Sequence, residues 1–205
     1  MKNKIIKDAL ALTLITLVAG VALGGVYEIT KDPIARQEAQ AKAEAYEQVF
    51  TDAAAFEEIE MDDTLIQTIR DQLDQEGYKA QSIEEVMRAE DQSGETLGYA
   101  FTVVTSEGYG GDIQFSMGVQ NDGTLNGISI LSIGETAGLG MNADPPAFKD
   151  QFVGKQVEKL QYTKNGATQD DEINAISGAT VTTNAMTNGV NAGLCAFRVM
   201  EGGDQ

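Results

Sequence analysis

The first pattern along the chain is a long apolar run near the N-terminus. Ala9 to Tyr27 contains no charged residue, and residues 1–8 before it carry three lysines. A helix of about 20 apolar residues is long enough to cross a bilayer. Residues 9–27 are therefore predicted to form a transmembrane helix, with residues 1–8 as a cytoplasmic tip, because basic residues favour the cytoplasmic side. The alternative is a cleaved signal peptide, whose apolar core is usually shorter, about 7 to 15 residues.

The next segment is predicted to be a second, separate helix. Lys31-Asp32-Pro33 should end the membrane helix, because proline fits the first turn of a helix better than its interior. Residues 34–56 then show the polar surface and apolar edge of a helix that lies on a folded domain. Residues 28–60 are accordingly assigned to a stalk.

A shorter acidic helix is predicted over residues 63–76. Its apolar residues recur on one side, and Gly77 is placed to end it. The residues expected on the buried side are Leu65, Ile66, Ile69 and Leu73.

From Glu84 to Ile133 the spacing changes to short β-like runs separated by turn residues. Asn121-Asp122-Gly123 is typical of a tight hairpin, because such turns need residues that adopt a positive φ. The pattern predicts an antiparallel meander of about four strands, over 84–90, 97–105, 113–120 and 124–133.

The C-terminal third is predicted to be mixed. It contains a glycine-rich loop over 135–146, a short helical piece over 147–154, a strand near 156–163, and a loop that runs to Ser177. A final helix from about Thr180 to Met200 has apolar residues at helical spacing, namely Met186, Val190, Leu194 and Phe197. Helices on both sides of a continuous antiparallel sheet indicate an α+β domain over residues 61–205.

The amino-acid composition excludes several classes of function. The net charge is −18, and of the 32 acidic residues only Asp8 precedes Tyr27. Nucleic-acid binders need clustered lysine and arginine, so a nucleic-acid partner is excluded. The chain has no histidine, which rules out a Ser-His-Asp site and histidine ligation of zinc or haem, and no catalytic or metal-binding residue is predicted. The single cysteine, Cys195, lies in an apolar stripe and is expected to be buried.

Four hydroxyl residues gather around Gly178-Ala179 at the start of the last helix: Ser177, Thr180, Thr182 and Thr183. One explanation is helix capping, since serine and threonine accept hydrogen bonds from free N–H groups there. The other is a phosphate site, because a helix N-terminus offers unpaired N–H groups and a positive dipole end. The residues by themselves leave both explanations open.

The segment Ser177-Gly178-Ala179-Thr180 resembles a family motif. It is similar to the S-G-A-T sequence at which FMN is joined to threonine through a phosphoester in the G subunit of the Rnf ion-translocating ferredoxin:NAD oxidoreductase. The C subunit of the related sodium-pumping quinone reductase has the same motif. The resemblance also includes the N-terminal span and, in the family's order, residues 45–50, 107–115, 135–143 and 147–155.

This resemblance implies a covalent FMN on Thr180, attached by a separate flavin transferase that uses FAD as the donor. Ser177, Gly178, Ala179 and Thr182 are expected around the phosphate. The isoalloxazine ring is expected against the loop 135–140. The expected ring contacts are Glu135, Thr136, Gly138 and Leu139, with Tyr109 stacking on the ring.

Two positions depart from the family pattern. Asn174 stands three residues before the motif serine, where the family usually has aspartate. Ala137 replaces a proline that is common in the glycine-rich loop. The first departure puts the efficiency of flavin attachment in question, whereas the second is expected only to loosen the loop.

The resemblance implies a membrane-anchored electron-transfer subunit whose main domain lies outside the cytoplasm. It would work with the other subunits of an Rnf-type complex, which couples electron transfer between ferredoxin and NAD to ion translocation. No complete catalytic site is expected on this chain. Two alternatives are a flavin-free anchored binding module, and a flavin-carrying domain of another respiratory or extracellular electron chain.

Overall fold

The computed structural model describes the chain from Lys2 to Gly203, with side chains from Lys4 to Gly202. The first residue of the predicted cytoplasmic tip, Met1, therefore lies outside the described residues. The chain divides between Ala41 and Lys42 into two compact units, which are considered separately below.

The N-terminal helix, α1, runs without interruption from Lys2 to Val49. The predicted break at residues 31–33 is wrong, as is the separate helix over 34–56, because Pro33 lies inside α1. Proline removes one hydrogen bond from a helix interior, but residues 34–44 are mostly alanine, glutamine, glutamate and lysine, which strongly favour helix. Within the described residues α1 is the one helix long and apolar enough to cross a membrane, with a mean hydropathy of 2.3 over its most apolar window.

The central sheet is an antiparallel meander of five strands in the order β1-β2-β3-β4-β5. The strands are β1 Ala55–Glu58, β2 Gln81–Glu90, β3 Thr96–Thr105, β4 Ile113–Gln120 and β5 Leu125–Ile133. The four predicted strands are confirmed. So is the Asn121-Asp122-Gly123 hairpin between β4 and β5, in which Gly123 has φ 84°.

Strand β1 was not predicted, because its first two residues fell within the expected helix 34–56 and its last two were assigned to the stalk. Its sequence, Ala-Phe-Glu-Glu, has no strong strand propensity. Each of its residues nevertheless pairs with β2 in antiparallel register, from Ala55 opposite Glu90 to Glu58 opposite Met87. Pairing with a strand distant in sequence therefore overrides the local preference.

Helix α2 spans Asp63–Glu76, as predicted. The side chain of Asp62 accepts a hydrogen bond from the Leu65 N–H at 2.7 Å and so caps the N-terminus. Gly77 ends the helix in the left-handed conformation, with φ 91°. Ile69 and Leu73 are buried, but Ile66 is 48% exposed, so the predicted apolar side is only partly covered.

The last helix, α4, spans Thr180–Gly203 and packs on one face of the sheet beside α2. Glycines allow the close approach: a side-chain carbon at Gly189 would lie 2.8 Å from the Phe115 ring. The predicted apolar residues of α4 are all buried. Cys195 is also buried, as expected, and desolvation together with the nearby Glu76 raises the pKa of its thiol to about 12.

The end of α1 covers the opposite face of the sheet. Tyr46, Val49 and Phe50 form a small apolar cluster with Ala89 and Ala100. Polar bonds surround this cluster. They join Tyr46 Oη to Thr102 Oγ1 at 2.7 Å, Ser129 Oγ to Gln48 Oε1 at 2.8 Å, and Lys42 Nζ to Glu85 Oε2 at 2.6 Å. The last two turns of α1 are therefore packed into the C-terminal unit.

The segment between the sheet and α4 is compact. It contains single helical turns at Gly140–Ala143 and Asp150–Phe152, the short helix α3 Pro146–Lys149, and two parallel strands, β6 Gln161–Thr163 and β7 Glu172–Asn174. The strand predicted near 156–163 is shorter than expected, and β7 lies in a segment predicted to be a loop. The α+β class, with helices flanking an antiparallel sheet after a long apolar helix, is confirmed.

Candidate functional site

A cleft of about 500 Å³ opens where three segments meet. These are the β3–β4 connection, the loop after β5, and the first turn of α4. The lining residues are Tyr109, Glu135, Thr136, Leu139, Gly140, Gly178, Ala179, Thr180, Val181 and Thr182. The structure thus brings together all the predicted site residues except Ser177 and Gly138, which do not line the cleft. Gly140 and Val181 line it but were not predicted.

The first turn of α4 presents free backbone donors to this cleft. The Ala179 carbonyl accepts the first helical hydrogen bond, from the Thr183 N–H at 3.0 Å. The N–H groups of Thr180, Val181 and Thr182 therefore have no helical carbonyl to bind. The residue at the usual capping position is alanine, whose side chain cannot accept a hydrogen bond. The positive end of a 24-residue helix consequently lies open at the cleft.

The four hydroxyl residues have different roles. Thr183 is buried and structural: its Oγ1 accepts from the Ile176 N–H at 3.0 Å and donates to the Ala179 carbonyl at 2.9 Å. Ser177 is exposed at the surface. Thr180 and Thr182 line the cleft, and in the described part of the chain no hydroxyl caps the first N–H groups of α4. Capping therefore does not explain the cluster.

Glu135 ties two of the three segments together. The residue is 8% exposed, and its Oε1 accepts from the Tyr109 N–H at 2.7 Å and, more weakly, from the Gly110 N–H at 3.4 Å. A side-chain carbon at Gly140 would overlap Glu135 Oε2. The loop after β5 can therefore close over Glu135 only with glycine at position 140.

A second glycine shapes the turn before α4. Gly178 has φ 75°, a conformation that residues with a side chain rarely adopt, and a carbon added there would lie 3.1 Å from Leu139 Cδ2. The turn thus leaves the approach to Thr180 free of side-chain bulk. Leu139, Val181 and Tyr109 are 44%, 50% and 76% exposed around the cleft. Exposed apolar groups beside free N–H donors suit a ligand with a flat apolar part and an anionic part.

The β3–β4 connection is fastened to α4 by residues that the sequence analysis missed. Glu107 Oε2 accepts from Asn188 Nδ2 at 2.7 Å and from Asn184 Nδ2 at 3.3 Å. The two asparagines are four residues apart and so lie on one face of α4, a spacing that could have signalled a shared polar partner. Together with Glu135, this contact holds Tyr109 at the cleft.

Both departures from the family pattern lie outside the cleft lining. Asn174 ends β7, where its Oδ1 accepts from the Ala167 N–H at 2.7 Å and its own N–H donates to Gln151 Oε1 at 2.6 Å. An aspartate could accept the same bond, so Asn174 fulfils a structural role. Ala137 is exposed in the loop beside Gly138, which has φ 76°.

Comparison with known proteins gives a consistent result. Residues 108–194 match the FMN-binding domain, and residues 1–49 match the RnfG N-terminal region. The chain is 32% identical to the G subunit of the Na(+)-translocating ferredoxin:NAD(+) oxidoreductase complex of Acetobacterium woodii, over 95% of this chain and 92% of that protein. It is 28% identical to the G subunit of the proton-translocating complex of Clostridium ljungdahlii, over 98% and 96% of the two chains.

A more distant group matches only part of the chain. The C subunit of the Na(+)-translocating NADH-quinone reductase of Pasteurella multocida is 41% identical over 80 residues, which cover 35% of this chain and 31% of that protein.

Proposed function

The chain belongs to the G-subunit family of Rnf-type ion-translocating oxidoreductase complexes, as an electron-transfer subunit with an FMN-binding domain, and we propose that its FMN is joined by a phosphoester to Thr180. The observation that carries this proposal is the position of the Thr180 hydroxyl. It lies in the cleft on the first turn of α4, beside three N–H groups that no side chain caps among the residues that the structure describes.

The residues of the cleft would have two different roles, binding of the phosphate and contact with the ring. The N–H groups of Thr180, Val181 and Thr182 would hold the phosphate, whose remaining negative charge is stabilised by the helix dipole by about 0.3 to 1 kcal/mol. Leu139, Val181 and Tyr109 would cover the faces of the ring and exclude water from it. When bound, FMN supplies the redox chemistry, taking up and passing on electrons one or two at a time.

The ester would form on the folded chain with FAD as the donor and a flavin transferase as the catalyst. The Thr180 oxygen bonds to the phosphorus nearer the flavin, the bridge between the two phosphates breaks, AMP leaves, and the hydroxyl proton is released. A threonine hydroxyl is a weak nucleophile near neutral pH, so a second enzyme is expected to activate it. A covalent link suits a domain outside the cytoplasm, because a loosely held cofactor would diffuse away.

Intact mass spectrometry of the chain from native membranes tests the linkage. We expect the polypeptide mass plus FMN minus water, and the bare polypeptide mass for Thr180→Ala. Thr180→Ser keeps a hydroxyl and should still carry flavin. Ser177→Ala is the matched control, because Ser177 is in the same turn but outside the cleft lining, and it should stay loaded. A bare wild-type chain in the presence of an active transferase would instead support the flavin-free binding module.

We further propose that residues 1–8 face the cytoplasm, residues 9–27 cross the membrane, and residues 61–205 form the domain on the other side, attached through residues 28–60. Three lysines precede the span and only Lys31 and Arg36 follow it closely, and this asymmetry of basic residues supports the orientation. Since Cys195 is buried, an added cysteine gives a clean signal. Gln92→Cys should react with an impermeant maleimide in intact cells, whereas Lys7→Cys should react only after lysis. The opposite result would reverse the topology.

The partners of the chain would be the other subunits of an Rnf-type complex, in which electron transfer between ferredoxin and NAD drives ion movement. Ferredoxin and NAD would bind cytoplasmic subunits, because the proposed topology separates them from this domain. Copurification of the chain with those partners from native membranes tests this assignment. A loaded chain that copurifies with a different set of redox proteins would indicate another electron chain.

A further inference from the structure

Only one of the two carboxylate oxygens of Glu135 has hydrogen-bond partners among the described residues. Glu135 as a whole residue is 8% exposed, and its Oε1 accepts from the N–H groups of Tyr109 and Gly110. Its Oε2 has no hydrogen-bond partner among the described residues, yet Glu135 lines the cleft. Oε2 is not sealed inside the protein, so it is open to the cleft that Glu135 lines, and a ligand in the cleft can donate a hydrogen bond to it.

The position of Oε2 is defined by its neighbours. The space above Gly140 Cα is shared by Glu135 Oε2 and Thr182 Oγ1, since a side-chain carbon there would overlap the first and lie 2.6 Å from the second. Thr182 belongs to the same first helical turn as Thr180. The free oxygen therefore lies near the attachment residue, inside the cleft.

An ionised carboxylate accepts hydrogen bonds and donates none. The donors that FMN offers are the hydroxyl groups of its ribityl chain and the imide N–H of its ring. We propose that Glu135 positions the flavin by accepting one of these donors at Oε2, and that its negative charge lowers the reduction potential of the bound flavin. This inference rests on the proposed flavin site.

The sign of the electrostatic effect follows from Coulomb's law. Electrons that arrive on the flavin add negative charge close to a carboxylate in a partly desolvated cleft, and like charges repel. The reduced flavin is therefore bound less tightly than the oxidised flavin. Because Oε1 is fixed by two backbone N–H groups, the carboxylate cannot turn away from the flavin without breaking them.

The Glu135→Gln variant distinguishes positioning of the flavin from the structural role of Glu135, which is to hold the backbone of Tyr109. The amide oxygen can still accept from the Tyr109 N–H, while the amide NH₂ then places a donor where the flavin donor needs an acceptor. In a Thr180→Ala background, where no ester can form, Glu135→Gln should raise the Kd for free FMN about tenfold, measured by fluorescence titration.

Two flavin analogues identify the group that donates to Glu135: riboflavin, and lumiflavin, which lacks the ribityl chain. Weakening with riboflavin alone indicates a ribityl hydroxyl, and weakening with both indicates the ring.

The reduction potential of the loaded chain is a second measurement, which loop support alone would not move. Glu135→Gln should raise the midpoint potential by about 30 mV, corresponding to a tenfold change in the affinity ratio of oxidised and reduced flavin for a two-electron couple. Asp91→Asn is the matched control. Asp91 also accepts backbone N–H bonds, from Ser93 and Glu95, but in the β2–β3 turn at the other end of the strands from the cleft. It should leave both Kd and potential unchanged.

An unchanged Kd and potential in Glu135→Gln, with wild-type flavin content, would overturn the role of Glu135 and leave the flavin site intact. Equal shifts in Glu135→Gln and Asp91→Asn would also overturn it, because the effect would then be one of overall charge. A wild-type chain that carries no flavin, together with a Thr180→Ala chain that binds none, would reject the flavin site itself and this inference with it.

Discussion

Replacing Phe50 with alanine should lower the free energy of unfolding of the C-terminal unit by about 3 to 5 kcal/mol. Phe50 follows the last turn of α1 and is 3% exposed. Its ring lies over two glycines of the sheet: a side-chain carbon at Gly98 would be 3.0 Å from Phe50 Cζ, and one at Gly118 would be 2.9 Å from Phe50 Cε2. The ring therefore fills the space over two positions of the sheet that carry no side chain.

The cost should fall in the upper part of that range. A cavity costs most when its walls cannot relax, and here one wall is the backbone of β3 and β4, which pair with each other in continuous register. The opposite wall is held by the bond between Tyr46 Oη and Thr102 Oγ1. Typical domains have about 5 to 15 kcal/mol of stability, so the loss is a large fraction of the total.

The assay is urea unfolding followed by far-UV circular dichroism, on the detergent-solubilised chain and on a fragment that begins at Lys42. Ile66→Ala is the control, because Ile66 is apolar but 48% exposed, and it should cost less than about 1 kcal/mol. An equal m-value in both variants would show that the unfolding reaction is the same. A Phe50→Ala cost no larger than the control would refute the packing of the end of α1 on the sheet.

Three further changes test other contacts. Burial is the largest single influence on Glu76 and raises its pKa, but the hydrogen bonds from Arg198, at 2.9 and 3.0 Å, the bond from Gln72 and the charge of Arg198 together outweigh it, so the pKa of Glu76 lies below its ordinary 4.5. A depressed pKa contributes stability above pH 4.5 that is lost as the pH falls through the lowered value. Glu76→Gln should thus cost about 0.5 to 1 kcal/mol at pH 7 in urea unfolding, and this cost should shrink steadily as the pH is lowered below 4.5. Gly189→Ala should cost about 1 to 3 kcal/mol in thermal unfolding because the new carbon meets the Phe ring of β4, whereas Gly202→Ala, with open space around it, should cost nothing. Asn174→Asp should load as much flavin as wild type at a fixed transferase concentration, by intact mass, since either side chain accepts the Ala167 N–H; much greater loading would show that the carboxylate itself matters.

The sequence predicted those elements whose patterns are local. Helix α2 has a capping aspartate, a helical apolar spacing and a terminal Gly77, and all three signals lie within 16 residues. The strands β2 to β5 alternate and are separated by turn residues. By contrast, β1 and β7 exist because a partner strand is available, at Glu90 and Thr163 for example, and no local signal encodes that partner.

The candidate site shows the same limit. The motif placed Thr180 and its neighbours at a helix start, because a glycine turn followed by an apolar periodic segment is a local signal. The acceptor role of Glu107 could not be predicted, since its partners Asn184 and Asn188 are 77 and 81 residues away in sequence. Tyr109 and Glu135 were singled out by the family resemblance, but the hydrogen bond between them needed the fold.

The hydrogen bonds of Glu107, Glu135 and Thr183 hold the walls of the cleft in place, and this affects the order in which folding and flavin attachment can occur. These three side chains close the walls with bonds internal to the polypeptide, so the walls need no prosthetic group to reach their final shape. Under the proposed linkage, folding can precede flavin attachment, and the flavin transferase would recognise a finished surface rather than an extended peptide.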